Sequence, residues 1–114
     1  MEAKSITRHI KQSPYKVRKT LNSVRGKKVS IALDMLHFSP EKASVFIEKT
    51  IKSAVANFTQ IAEDNDTNID SLRIKEAFVD GGPVMKRFRA ASMGRASKLR
   101  RPTSHLTIIV SDNQ

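Results

Sequence analysis

The chain has 114 residues, with 21 Lys and Arg against 11 Asp and Glu, a formal net charge of +10 and no cysteine. That length supports one domain, and the missing cysteines exclude a disulfide scaffold, a thiolate metal site and a cysteine nucleophile. No apolar run approaches the ~20 residues of a membrane span, and the opening MEAKSITRHI lacks the apolar core of a secretory signal, so the chain reads as soluble and intracellular.

The charge is localised. Residues 1–28 carry a net +8, residues 29–82 a net −4, residues 83–105 a net +7, and the tail beyond them a net −1. A solubilising surface mixes both signs, whereas two basic blocks flanking a mildly acidic middle form an electrostatic footprint for nucleic acid.

Ala3 to Ile10 reads as an irregular strand, with Ile6 and Ile10 apolar and Lys4 and Arg8 polar. Ser13 followed by Pro14 opens a helix, because the serine caps it and the proline stands where its missing N–H costs nothing. Val17, Leu21 and Val24 then recur at helical spacing until Gly26 supplies a stop. Lys16, Arg18, Lys19 and Arg25 decorate the rest of this helix, Lys27 and Lys28 follow it, and no acid occurs from Ser13 to Lys28. Solvated helices commonly interleave Glu with Lys, so the missing acids favour contact with a polyanion over an ordinary solvated face. Membrane-surface binding fits less well, since the apolar stripe is narrow and lacks Trp or Phe.

Ser30 is placed to cap a second helix through Leu36, with Ala32, Leu33, Met35 and Leu36 apolar. Ser39 and Pro40 repeat the opening device before a third. Ala43, Phe46, Ile47, Ile51, Ala54, Val55, Phe58 and Ile61 keep one apolar face on that helix through about five turns, which makes it the central packing element. Glu63 to Asp70 is acidic and aperiodic, a surface loop. Leu72 and Ile74 start a strand whose apolar parity has changed by Ala77 and Val79, which calls for a bulge near Glu76. Leu106, Ile108 and Val110 alternate as a final strand.

Between these two strands runs PVMKRFRAASMGRASKLRRPTS, with Lys86, Arg87, Arg89, Arg95, Lys98, Arg100, Arg101 and no acid. If the flanking strands pair, this excursion is most simply an extended hairpin. A period of two puts Lys86 and Phe88 on one side and Arg87 and Arg89 on the other; on the return leg Arg95 and Arg101 alternate with Lys98 and Arg100. Charge on both faces argues for an arm that leaves the body and is enclosed by something negative. Phe88, Met93 and Leu99 are open to three readings: packing within the arm, contact with bases, or a surface for a third party. The expected fold is α+β, three helices packed on a small antiparallel sheet with a long protruding basic β-hairpin. It forms one domain, with body 1–82 and 104–114 and arm about 83–103.

Catalytic chemistry is not legible. His9, His37 and His105 are scattered without metal-ligand spacing, and each reads as a local hydrogen-bonding or surface imidazole. Gly81 and Gly82 precede a proline rather than a helix and read as turn residues, not a phosphate loop. Asp64, Asp66 and Asp70 lack the glycine and terminal glutamate of a calcium loop. Ser104 and His105, adjacent on a strand, point to opposite faces and cannot act as nucleophile and base. Neither a metal nor a cofactor is expected, and an RNA-processing enzyme would need residues not found here. The remaining rival is a DNA-architectural protein using a basic β-arm, with Phe88 or Met93 as its wedge.

GPVMKRFRAASMGRASKLRRPTSHLTIIVSD resembles the signature of the large-ribosomal-subunit protein twenty-two family, approximately G-P-x-M-K-R-x-x-P-R-A-x-G-R-A, a basic stretch, then T-S-H and a β-run. SPYKVRKTLNSVRGKKVSIALDMLHFSPEKAS and SAVANF match its helical segments, so the likeness covers nearly the whole chain. Lys86, Arg87, Gly94, Arg95 and His105 match residue by residue. Ala90, Ala91 and Ser92 stand where the family commonly has Pro, Arg and Ala, Met93 where Lys is frequent, and Pro102 interrupts the returning basic stretch.

The resemblance implies a structural, non-enzymatic component of the cytoplasmic large ribosomal subunit. Its rRNA-binding residues would be Arg8, Lys16, Arg18, Lys19, Arg25, Lys27, Lys28, Lys86, Arg87, Arg89, Arg95, Lys98, Arg100 and Arg101. A hairpin tip of Phe88, Ala90, Ala91, Ser92, Met93, Gly94 and Ala96 would face the nascent-peptide exit tunnel. The implied partners are 23S ribosomal RNA, neighbouring ribosomal proteins including large-subunit protein four, and the nascent polypeptide. Neither a membrane nor an obligate homo-oligomer is implied.

Overall fold

Ser13 and Pro14 open the first helix as their chemistry requires: the Ser13 hydroxyl accepts from the Lys16 N–H at 3.4 Å and Pro14 takes the first helical position. In this computed structural model, which describes residues 2–61, 71–83, 85–90 and 96–112, the elements run β1 (Glu2–Ile10), α1 (Pro14–Leu21), α2 (Val29–His37), α3 (Lys42–Ile61), β2 (Arg73–Gly81), β3 (Met85–Ala90), β4 (Ala96–Arg101) and β5 (Ser104–Ser111). The expected loop from Glu63 to Asp70 and the arm residues from Ala91 to Arg95 lie outside the described residues.

Helix α1 ends at Leu21, earlier than the Gly26 stop that its pattern predicts. Turns closed by Ser23 N–H to Thr20 O, Val24 N–H to Leu21 O and Lys27 N–H to Val24 O continue the chain, so Val24 reaches the core from outside the helix. Gly26, at φ 73°, still reverses the course. Ser30 does not cap α2; Lys28 occupies the cap position without a side-chain bond, and Ser30 lies within the first turn. Ser39 and Pro40 likewise precede α3 by more than the expected step. Ser39 Oγ accepts from the Glu41 N–H, and Ser44 Oγ donates back to the Glu41 carbonyl at 2.6 Å.

The body is a three-stranded antiparallel sheet of order β1-β5-β2, covered on one face by helices. Helix α3 lies across β1 and β5, α1 lies over β2, and α2 packs on α3. Leu106, Ile108 and Val110 of the central strand, Ile47, Ile51, Ala54 and Phe58 of α3, Val17 and Leu21 of α1, and Ile74 and Val79 of β2 form the common core. Phe46 and Val55 pack at its edge, whereas Ile61 is 56% exposed and does not join it, a correction to the helix face read from spacing. Buried Thr50 satisfies its hydroxyl on the Phe46 carbonyl and on Thr7 Oγ1 of β1, and Asn57 Nδ2 donates to the Lys4 carbonyl at 3.0 Å. These polar ties hold the edge strand against α3.

The parity change in β2 is a register shift between Ile74 and Glu76, in the region the apolar pattern indicated. Strand β1 carries a second shift between Thr7 and Ile10, where His9 adopts φ 59°. This explains the poor alternation of β1: Ala3 and Ser5 face the helices, the irregularity then brings Ile10 inward, and Ile6 stays 38% exposed on the open face. There Ile6 and Phe78 flank Thr107 across the three strands.

Glu2 and Lys75 form an ion pair from one edge strand to the other. The hydrogen bond to Glu2, followed by its charge, raises the Lys75 pKa above the ordinary lysine value. Its stabilisation is therefore present at neutral pH and lost as pH rises through that raised value. Being exposed, the pair contributes little.

Beyond Gly81 the β2–β5 pair gives way to the two-stranded sheet β3-β4, so the basic segment is a hairpin as its charge and flanks implied. The molecule measures 67 × 25 × 17 Å, and its radius of gyration of 17.4 Å exceeds the ~13 Å of a compact chain this long.

Candidate nucleic-acid interface

The neck joining body to arm is braced from three directions. Gly82 N–H donates to the Thr103 carbonyl at 2.8 Å, and Thr103 Oγ1 donates to the Pro83 carbonyl at 2.6 Å. Ser104 Oγ donates to the Gln12 carbonyl at 2.5 Å, tying in the segment before α1. His105 Nδ1 accepts from the His9 N–H at 3.1 Å, and the two rings meet edge to face with centroids 4.9 Å apart. Gly81 and Gly82 therefore carry the ribbon forward; they are not the turn expected from their composition.

A Cβ added at Gly82 would stand 2.5 Å from Thr103 Oγ1 and 3.2 Å from Cε1 and Nε2 of His105. Gly82→Ala is thus expected to destabilise the protein by about 1–3 kcal/mol, as forced overpacking does. Urea unfolding of Gly82→Ala, Thr103→Ala and the double variant checks this. The cost at Gly82 should shrink once the Thr103 hydroxyl is gone, and an unchanged cost would show that the clash lies elsewhere.

The expected phosphate-binding residues of the body are all exposed: Arg8 beside the irregularity of β1, Lys16, Arg18 and Lys19 on α1, and Arg25, Lys27 and Lys28 in the connection to α2. Arg18 Nη2 also donates to the Val79 carbonyl at 2.6 Å, which fixes α1 over β2. The backbone at Lys27–Val29 is pinned to the start of β2 by Val29 N–H to Leu72 O and Ile74 N–H to Lys27 O, so two lysines stand on a rigid edge. In the arm, register sets Lys86 opposite Arg100, Met85 opposite Arg101, Arg87 opposite Leu99, Phe88 opposite Lys98, Arg89 opposite Ser97 and Ala90 opposite Ala96. Arg95 and the tip residues Ala91, Ser92, Met93 and Gly94 lie outside the described residues.

Two residues escape a reading of the sequence. Pro14 Cγ lies 4.0 Å from the Cβ position of Gly81, so the start of α1 abuts the arm's root, and the exposed residues Lys11 and Tyr15 lie to either side of Pro14 in the chain. Their signal is present, an aromatic within the acid-free block and a further lysine just before it, but nothing local places the adjoining Pro14 beside residue 81. Similarly, His9 and His105 meet only through β1–β5 pairing. Among the described residues no group of three His, Cys, Asp or Glu could hold a metal, and no helix is long and apolar enough to cross a membrane.

A helix-covered sheet with a basic strand pair extending from it, and basic residues lining the helix beside its root, defines an α+β protein with a concentrated cationic surface. The sequence profile of the ribosomal protein L22p/L17e family matches residues 5–111, and the chain belongs to that family. It is 44% identical over 115 residues to large ribosomal subunit protein uL22 of Halothermothrix orenii, covering 100% of this chain and 98% of the relative. It is 46% identical over 113 residues to the uL22 protein of Chloroflexus aggregans, covering 98% and 96%. The likeness seen in the arm motif thus extends through the body.

Proposed function

We propose that this chain is a structural constituent of the large ribosomal subunit in the cytoplasm, binding 23S ribosomal RNA through its body and arm and lining the nascent-peptide exit tunnel with the hairpin tip. The carrying observation is the arm itself, a register-matched strand pair within a segment whose seven cationic residues are accompanied by no acid. Fixed Lys and Arg neutralise phosphates that would otherwise repel one another, and hairpin pairing holds the cations in place as RNA segments close around them. Arginine suits the task because its planar fork binds phosphate at two points and stacks on bases. Large-subunit protein four is the proposed neighbour at the tip, and the nascent polypeptide the passing ligand. Phe88, Ala90, Ala91, Ser92, Met93, Gly94 and Ala96 form the proposed tunnel-facing surface. The chain acts without catalysis, membrane or obligate self-association.

Sedimentation of tagged protein with large subunits through a high-salt wash tests the assignment, combined with photocrosslinking from Met93. Crosslinks to tunnel RNA and to arrested nascent peptide are the expected result. Crosslinks only to outer-surface RNA would overturn the tunnel placement, and release in the wash would overturn stable incorporation.

A further inference from the structure

We infer that Tyr15 is a stacking platform for an unpaired RNA base, held in the corner between α1 and the root of the arm. The platform rests on the RNA-binding reading and adds to it a ligand geometry, a splayed nucleotide rather than a duplex.

Tyr15 is the only tyrosine in a chain without tryptophan, and it is 79% exposed at the first turn of α1. Helix packing does not use it, since α1 buries Val17, Thr20 and Leu21 instead. Its surroundings are cationic: Lys11, Lys16, Arg18 and Lys19 are exposed nearby in sequence, and Ser13 to Lys28 holds no acid. The position is fixed from both sides. Pro14 abuts Gly81, and the Gln12 carbonyl is held by Ser104 Oγ, so Tyr15 stands where the two basic blocks converge.

A strand whose phosphates are shared between α1 and the arm crosses this corner, and a base that unstacks there meets an aromatic face. An aromatic face offered beside fixed phosphate contacts is the arrangement by which proteins take up unpaired bases; Watson–Crick pairs in an A-form helix present no free face to it. Exposed Phe38, by contrast, follows a helix carrying Asp34 and has no comparable run of cations around it.

The test uses the full chain, a single-stranded 12-nucleotide RNA and the blunt duplex of the same sequence, with tyrosine emission corrected for RNA absorbance and affinity measured separately by filter retention. Single-stranded RNA is expected to quench the one tyrosine strongly and the duplex weakly. Tyr15→Ala should weaken single-strand binding roughly 5- to 100-fold, the range of one base–aromatic stack, while the salt slope stays unchanged because every phosphate-binding cation is retained. Tyr15→Phe should bind within about twofold of the parent. RNA that binds without quenching, or with equal affinity to Tyr15→Ala, would overturn the stacking role and leave the phosphate-binding reading standing. A Tyr15→Ala slope that falls with the affinity would also overturn it, marking the ring as a support for the lysines. Failure of either RNA to bind the parent would defeat the RNA-binding reading itself, and the platform with it.

Discussion

Alanine at Arg87, Arg95, Lys98 and Arg100 together is expected to abolish most of the arm's affinity for ribosomal RNA and to flatten its salt dependence. Each phosphate left without its cation takes ~0.7–0.9 from the slope of log affinity against log salt, so four such phosphates account for roughly 3 units. Arg87, Lys98 and Arg100 lie on β3 and β4, which pair with each other rather than with the three-stranded sheet, and Arg95 falls between those strands in sequence, so the urea midpoint of the body should hardly move. Filter-binding titrations from about 50 to 200 mM salt, a range in which counterion release is large, read both affinity and slope. An unchanged slope would mean that these side chains do not meet phosphate.

The second large effect is on stability. Phe58 is 1% exposed and is among the largest fully buried side chains, on the helix that spans β1 and β5. Phe58→Ala removes most of an aromatic side chain from a core assembled from all three helices and all three body strands. The expected cost is about 3–5 kcal/mol, a large share of the ~5–15 kcal/mol that typically separates folded from unfolded domains. Ile61→Ala, one turn further along the same helix but largely exposed, should cost under ~0.5 kcal/mol. Urea unfolding of the pair decides the matter: equal midpoints would show that α3 packs on a different face.

The sequence showed most clearly those features whose signal is local. The apolar face of α3 repeats often enough that one misassigned end, Ile61, did not disturb it. The β2 irregularity was visible because Leu72 and Ile74 fall out of step with Ala77 and Val79. The arm was visible because cations accumulated without acids. Hidden features depended on partners far along the chain. Three successive turns keep Val24 at the spacing of a helix that has already ended, so periodicity alone could not find the end of α1. Nothing near His9 announces His105, 96 residues away, or near Tyr15 the root of the arm. The outward position of Ile6 follows from the β1 irregularity, which depends on pairing with β5.

Strand order also governs what happens during synthesis. Within the three-stranded sheet β1 and β2 are both joined through β5, and β5 follows both along the chain. A growing chain therefore carries the 21 Lys and Arg of residues 1–101 before it has the strand that joins the sheet. For that interval the nascent protein is a polycation with an open hydrophobic layer, able to attract nucleic acid indiscriminately and to expose two unpaired edges. Burial of Leu106, Ile108 and Val110 ends the interval, so eight residues without a Lys or Arg decide when an adhesive chain becomes an ordered one.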